Sequence, residues 1–266
     1  MEHRRKNCFK GTLAGVCMLA LAAGSAESTQ AYFTWQDSVV NVLTVGGLQL
    51  DLKEPEWDPE DGDGKGMIPG DTVYKNPTVR NQTEESLGGI CYLRMQMRIL
   101  DASGEQITDE DRLALIRNTI YYDNTYTGTF TQKGVGEKLV EGRTPGYSLA
   151  ELAVIDHINP LFAENTEESA PGKVVYDYLG TAGDGRMSPG EEAVLFTSIV
   201  VPTDWEAAEL ELLGDFTLEI SASGVQAVGF ASGKEAFAAA AEKTAAQNGN
   251  PQTAQAGKQE QEDAQE

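Results

Sequence analysis

Histidine is the scarcest reactive group in this chain, because the 266 residues contain only His3 and His157. His157 stands between Asp156 and Ile158, without an H-E-x-x-H pattern or a second ligand at helical spacing, which disfavours a zinc site. A Ser-His-Asp triad is equally unsupported, since G-x-S-x-G is absent and a single histidine would have to serve it. We interpret His157 as a loop or helix-end histidine and expect no catalytic residue, no resident cofactor and no metal ligand.

Acidic side chains are concentrated in the loop that contains Asp58, Asp61 and Asp63. Oxygen ligands at this density suit calcium, but an EF-hand loop starting at Asp61 needs a glutamate at its twelfth position, which here is Thr72. The fifth position is Lys65, which is also unsuitable. We expect a solvated acidic loop, with calcium binding near the three aspartates as the alternative.

The N-terminus has the layout of a secretory signal, in which basic residues precede a short apolar segment and small residues follow. The basic part is residues 4–6 and the apolar part is residues 13–23. About 11 apolar residues are too few for a bilayer span, which needs roughly 20. We therefore expect export, cleavage and release, with no stable membrane insertion afterwards.

Two positions satisfy the preference of signal peptidases for small residues at −3 and −1. One cut follows Ala31, with Thr29 at −3, and makes Tyr32 the new N-terminus. The other cut follows Ala26, with Gly24 at −3. The residue sizes alone leave both positions open.

Composition limits the partners and the redox chemistry of the exported chain. The net charge of −22 becomes about −24 when the signal leaves, because it carries four basic and two acidic residues. Such an acidic surface repels phosphate backbones and anionic lipid, which argues against nucleic-acid binding. Cys8 and Cys17 leave with the signal, so Cys91 stays alone; between Ile90 and Tyr92 it is expected to be a small core residue.

Alternating apolar residues predict many short strands. Residues 39–52 are expected to form a strand pair or one bent strand, with Gly46-Gly47 at the bend. The clearest pattern is residues 89–100, where Cys91, Leu93, Met95, Met97 and Ile99 would face the core. The other predicted strands are 72–80 (at a sheet edge, because of Pro77), 120–132, 174–179 and 193–201, with a closing hairpin of 216–221 and 225–229.

Three short helices are predicted from capping signals, with start residues Thr108, Ser148 and Thr203, each followed by an acidic residue three positions later. Residues 1–31 are then the signal peptide and 32–232 a β-domain. The Ala/Gln/Glu-rich segment 233–266 is expected to be largely disordered, with a possible short helix at 235–247. Short strands with helices in loops predict a mainly β fold, a jelly-roll or Ig-like antiparallel β-sandwich.

Several motifs, in the same order, resemble the TasA/camelysin (CalY)-like group of Gram-positive proteins that are processed by the SipW-type signal peptidase. The likeness covers most of residues 29–230 and includes an aromatic doublet just after the cleavage region. The motifs are Thr29-Gln30-Ala31-Tyr32-Phe33, the strand from Val39 to Leu48, Ile68-Pro69-Gly70-Asp71-Thr72, Lys75-Asn76-Pro77, Ser188-Pro189-Gly190-Glu191 and Val225 to Phe230.

This resemblance implies cleavage between Ala31 and Tyr32 by a SipW-type peptidase, and a jelly roll in the cell envelope or biofilm matrix. TasA-like proteins polymerise by donating the N-terminal strand to the next subunit. The corresponding donor here is Tyr32 to about Leu43, with Phe33, Val40 and Val42 among its apolar residues. The alternative is that these residues form the first strand of their own sheet.

We therefore expect a secreted, non-enzymatic structural protein of the extracellular matrix or cell surface, with assembly into fibres through its N-terminal strand as one of the two alternatives for that strand. Its partners would be a SipW-type signal peptidase and either a second copy or another matrix protein. One alternative is a monomeric surface module, for example one that binds carbohydrate. A camelysin-type metalloprotease is the other alternative that the resemblance raises.

Overall fold

Strands dominate the structure, a computed structural model that describes residues 35–45, 47–55, 57, 64–84, 88–123, 139, 141–143 and 146–248. For residues 35–45 and 244–248 only the backbone is described. The strands are β1 (Trp35–Val45), β2 (Leu50–Lys53), β3 (Thr72–Tyr74), β4 (Thr78–Asn81), β5 (Cys91–Asp101), β6 (Ile120–Tyr121), β7 (Phe162–Glu164), β8 (Lys173–Tyr178), β9 (Arg186–Met187), β10 (Glu192–Val194), β11 (Ser198–Val200) and β12 (Phe216–Gln226). The helices are α1 (Glu110–Arg117), α2 (Leu149–Leu152), α3 (Ala207–Leu213) and α4 (Gly233–Asn248).

The largest sheet has the order β1-β12-β5-β8-β7, and β9 also pairs with β5. All of its pairs are antiparallel except β1 with β12, which is parallel. Two smaller sheets have the orders β10-β4-β2 and β3-β11-β6, and their pairs are all antiparallel. The prediction of a mainly antiparallel β fold is therefore confirmed.

Strand β5 shows how the sequence pattern determines burial. Its odd-numbered residues from Cys91 to Ile99 are buried, as predicted, while Arg94, Gln96 and Arg98 are only half-buried. Side chains alternate across a strand, so one row faces the core and the other faces away. Tyr92 departs from the pattern: it is 2% exposed, because α4 covers it.

Two predicted strands are each divided between sheets. Residues 72–80 contain β3, at the edge of one small sheet, and β4, at the centre of the other, so the prediction of a single edge strand is wrong. Pro77 lies between them and has no N–H for a ladder hydrogen bond. Residues 193–201 are divided in the same way into β10 and β11. The segment between β3 and β4 is hydrogen-bonded to the segment between β10 and β11. Lys75 N donates to Thr197 O at 3.0 Å, and Leu195 N donates to Pro77 O at 3.0 Å.

The predicted closing hairpin is also wrong. Residues 216–226 form one uninterrupted strand, β12, which pairs along its whole length with β5. Gly224, which falls between the two predicted strands, lies inside β12 at a place where another side chain closely approaches the backbone. Strands β1 and β2 belong to different sheets, with Gly46-Gly47 between them.

Helix positions are predicted better than their caps. Ser148 caps α2, and both hydrogen bonds of the predicted capping box with Glu151 are present. Helix α1 is capped by Asp109, whose carboxylate accepts from Arg112 N at 2.8 Å, so Thr108 is one residue early. Helix α3 begins after Glu206, so Thr203 is not its cap. An acidic side chain can also accept from the first-turn N–H groups, which explains both shifts.

Two further predictions concern the strand at residues 120–132 and the domain boundary at residue 232. Strand β6 covers only residues 120–121 of the predicted 120–132, and residues 124–138 are not described. The expected domain boundary at residue 232 directly precedes α4, and Ala236 of this helix is 0% exposed against the sheet. The packed part therefore continues past that boundary. No helix among the described residues is long and apolar enough to cross a membrane.

Candidate functional site

Strand β1 occupies one end of the largest sheet and pairs with β12 alone among the described strands. Nine residue pairs connect the two strands in parallel, from Trp35 with Phe216 to Val45 with Val225, and the register shifts between Val39 and Val42. A parallel edge strand is not joined to its neighbour by a tight hairpin. Nothing in the local connection therefore forces β1 to pair with the β12 of its own chain.

The surface that receives β1 is apolar on its inner face. Phe216, Leu218 and Ile220 of β12 are each at most 1% exposed, and the other edge of β12 is held by β5 over eleven residue pairs. Without β1, this edge of β12 would present a row of backbone N–H and C=O groups, while its other edge would still be paired with β5. An edge of this kind is a template for another strand.

The chain becomes firmly attached immediately after β1. Leu48 is 6% exposed, and the side chain of Leu50 lies against the backbone of β12 at Gly224. A Cβ at residue 224 would clash with Leu50 Cδ1 and would stand 3.6 Å from Leu48 Cδ1. A Cβ at residue 224 would therefore require Leu50 to move, and these packing contacts fix the chain from Leu48 onwards.

A buried ion pair holds the far end of β2, and the sequence patterns do not reveal it. Glu54 follows β2, and its Oε1 lies 2.6 Å from Lys75 Nζ, with side-chain exposures of 3% and 0%. The Lys75 ammonium also lies 4.8 Å from the centroid of the Trp57 ring. Breaking a buried pair leaves an uncompensated charge, so this contact fixes the chain strongly. The only sequence signal is a lysine that directly precedes Asn-Pro in an otherwise apolar strand region.

Helix α4 covers the outer face of the sheet near the end of β1. Ala236 packs with Tyr92, Val225 and Ala227, and Val225 is also the β12 partner of Val45. The Phe237 ring of α4 lies 4.3 Å from the Arg94 guanidinium carbon. The apolar residues Tyr92 and Val225 on an otherwise polar sheet face are the signal that could have predicted this cover.

Two of the predicted sites lie outside the described residues. These are the cleavage residues Thr29, Ala31 and Tyr32, with Phe33 of the donor segment, and the acidic loop residues Asp58, Asp61 and Asp63. Val40 and Val42 of the predicted donor segment are residues of β1, and Val42 pairs with Ala222 of β12. In this structure the two valines therefore belong to the sheet of their own chain. Among the described residues, no group of three His, Cys, Asp or Glu side chains could hold a metal ion.

His157 and Cys91 are where the sequence predicts them. His157 lies in the loop after α2, and its Nδ1 is 2.8 Å from Ile120 O. A carbonyl only accepts, so Nδ1 carries the proton and donates it. Cys91 is 0% exposed and free, and burial, followed by the nearby Glu191 carboxylate, raises its pKa to about 12. Cys91 is thus an inert core thiol.

Comparison of the chain with protein-family models, with curated proteins and with solved structures finds no match. The resemblance to the TasA/camelysin-like group therefore rests on the quoted motifs alone.

Proposed function

We propose that this chain is a secreted structural protein of the extracellular matrix or cell surface of a Gram-positive bacterium. Export would follow cleavage after Ala31 by a SipW-type signal peptidase. The supporting observations are the secretory layout of the N-terminus, the ordered motifs and the mainly antiparallel β fold. In this proposal the three sheets belong to a jelly-roll sandwich, and the role is non-enzymatic.

Assembly would proceed by exchange of the N-terminal strand, with Tyr32 to about Leu43 of one copy taking the place of the same segment in the next. The observation that carries this proposal is the position of β1: it is an edge strand, parallel to its single partner, β12. A second copy can supply the same backbone hydrogen bonds in the same register. Such a contact is head-to-tail and does not close on itself, so it propagates as a fibre.

The attachment points after β1 define how much of the chain can exchange. Leu48 and Leu50 pack at Gly224, and the Glu54–Lys75 pair fixes the end of β2. The exchanging unit therefore ends before Leu48, and Gly47, which directly precedes it, has no Cβ and so allows a wide range of backbone conformations at this junction. Short hinges of this kind are where strand swapping occurs.

Two purified forms test the proposal. One starts at Tyr32 and the other at Leu48, and both are followed by light scattering and electron microscopy over a range of concentration and acidic pH. We expect fibres from the longer form only, and we expect a synthetic peptide of residues 32–45 to raise the unfolding temperature of the shorter form. A longer form that stays monomeric under all conditions would remove the assembly proposal and favour a monomeric surface module. Protease activity that a chelator abolishes and zinc restores would overturn the non-enzymatic role.

A further inference from the structure

A cavity of about 300 Å³ opens beside the far edge of the largest sheet, away from β1. It lies between β7 and β8 on one side and β6 with the His157 loop on the other. Its walls are mostly apolar, and three of its four apolar side chains are buried. The apolar lining residues are Met97, Ile120, Ile158 and Phe162.

Opposite charges stand at the mouth of this cavity. Arg117, the last residue of α1, and Glu164, the last residue of β7, line both this cavity and an adjoining one of about 360 Å³. Both side chains are exposed, and neither takes part in a hydrogen bond or ion pair with another described residue. A cation and a carboxylate that share one opening without neutralising each other are available to a ligand that carries both charges.

Two polar side chains complete the lining. Burial, followed by the Glu164 carboxylate, raises the pKa of Tyr176, and Arg117 partly opposes this shift, so the phenol keeps its proton. His157 is fixed by its hydrogen bond to Ile120 O and by contact with Tyr121, whose ring centroid lies 4.9 Å away. Because Nδ1 donates to the carbonyl, Nε2 is the ring nitrogen that remains for a contact with a ligand.

We propose that this cavity binds an α-amino acid with a large apolar side chain, as the free zwitterion. The carboxylate pairs with Arg117, the ammonium pairs with Glu164, and the side chain enters the apolar part beside Met97 and Phe162. This binding site goes beyond the assembly proposed above and does not depend on it.

An apolar amino acid matches this cavity in the arrangement of its charges, in its shape and in its size. Small-molecule sites are apolar cavities of roughly 300 Å³ or more with a few polar groups that fix orientation. An apolar amino acid carries its two opposite charges on neighbouring atoms at one end, and the cavity has its two charged side chains at the mouth. Each charged partner contributes a charge-assisted hydrogen bond, so removal of either is expected to weaken binding about tenfold to a hundredfold.

The experiment is a titration of the chain from Tyr32 with L-phenylalanine and L-leucine, followed by NMR and calorimetry. N-acetyl-L-phenylalanine lacks the ammonium, L-phenylalanine amide lacks the carboxylate, and glycine lacks the side chain. We expect saturable binding of the two apolar amino acids only. Glu164→Gln and Arg117→Gln should each weaken this binding about tenfold to a hundredfold. The control Glu211→Gln, which removes an exposed carboxylate outside the cavity, should leave binding unchanged.

Thermal unfolding of each variant verifies that the domain remains folded, which is expected because the substituted side chains are exposed. The absence of saturable binding up to about 10 mM would overturn the proposal. So would equal binding of the acetylated and amidated derivatives, because it would show an apolar cavity that ignores both charges. These outcomes leave the assembly proposal unaffected, since fibre formation is measured without any amino acid.

Discussion

The Glu54 carboxylate and the Lys75 ammonium stand 2.6 Å apart with almost no solvent contact, directly after the strand that follows β1. In the assembly proposed above, this pair belongs to the part of the chain that stays in place while the segment before Leu48 exchanges. A buried charge left without its partner is strongly destabilising, whereas an intact pair is nearly neutral relative to apolar residues. The pair therefore specifies one position for the end of β2.

Lys75→Met should lower the free energy of unfolding by about 3–5 kcal/mol, because it leaves the Glu54 carboxylate buried without its cation. The double variant with Glu54→Leu should recover most of this loss. Denaturant unfolding measures both changes. The control is Lys234→Met, which removes the exposed ion pair with Glu167 and should change the free energy by less than about 1 kcal/mol. A loss for Lys75→Met as small as that of the control would contradict this role.

Gly224→Ala should destabilise the domain by about 1–3 kcal/mol, because the new Cβ would meet Leu50. Adding Leu50→Ala should relieve the clash, so the two changes should not be additive in a double-mutant cycle. Gly47→Ala is the matched control, since a Cβ there has no neighbour within 4 Å. Additive effects of the 224 and 50 substitutions would show that the two residues do not pack together.

Cys91 should resist thiol reagents at pH 9, because burial holds its pKa at about 12 and keeps it protonated. In the unfolded chain the thiol ionises near pH 9, so above this pH the unfolded state loses a proton that the folded state retains. Stability should then fall as the pH rises from about 9 towards 12. Labelling by an aromatic disulfide, with Thr166→Cys as an exposed control, measures the reactivity. Rapid labelling of native Cys91 would contradict its burial.

Removal of residues 233–266 should lower the unfolding free energy by about 2 kcal/mol or more, because it uncovers Tyr92, Val225 and Ala227. A chain that ends at Asn248 keeps the whole of α4 and serves as the control, with unchanged stability expected. Ala236→Asp should act like the larger deletion, since it places a charge in the covered cluster. Thermal unfolding of the two truncated chains and of Ala236→Asp measures these differences. Equal stability of all three would show that α4 does not stabilise the domain.

Local patterns predict the features that depend on local physics. The alternation in residues 91–99 gives the buried face of β5, and Ser148 with Glu151 gives a complete capping box. Errors occur where a distant contact decides the structure. Residues 216–229 are predicted as two strands, because no local signal shows that Leu50, far away in the sequence, lies against Gly224 inside a single strand. The Glu54–Lys75 pair and the cavity between Arg117 and Glu164 likewise join segments that no periodicity connects.

Strand exchange is tested most directly by two variants with one added cysteine each, Gln36→Cys and Thr217→Cys, which place thiols on partner residues of β1 and β12. The variants are mixed, allowed to assemble and oxidised; a disulfide between them needs Cα atoms within about 7 Å, and Cys91 is buried and does not compete. The account predicts disulfide-linked dimers of the two variants in fibres, and none with the control pair Gln36→Cys and Thr166→Cys. The double variant Gln36→Cys with Thr217→Cys is oxidised in parallel. If the 36–217 disulfide forms within this chain but not between the two mixed variants, β1 stays in its own sheet and strand exchange is contradicted.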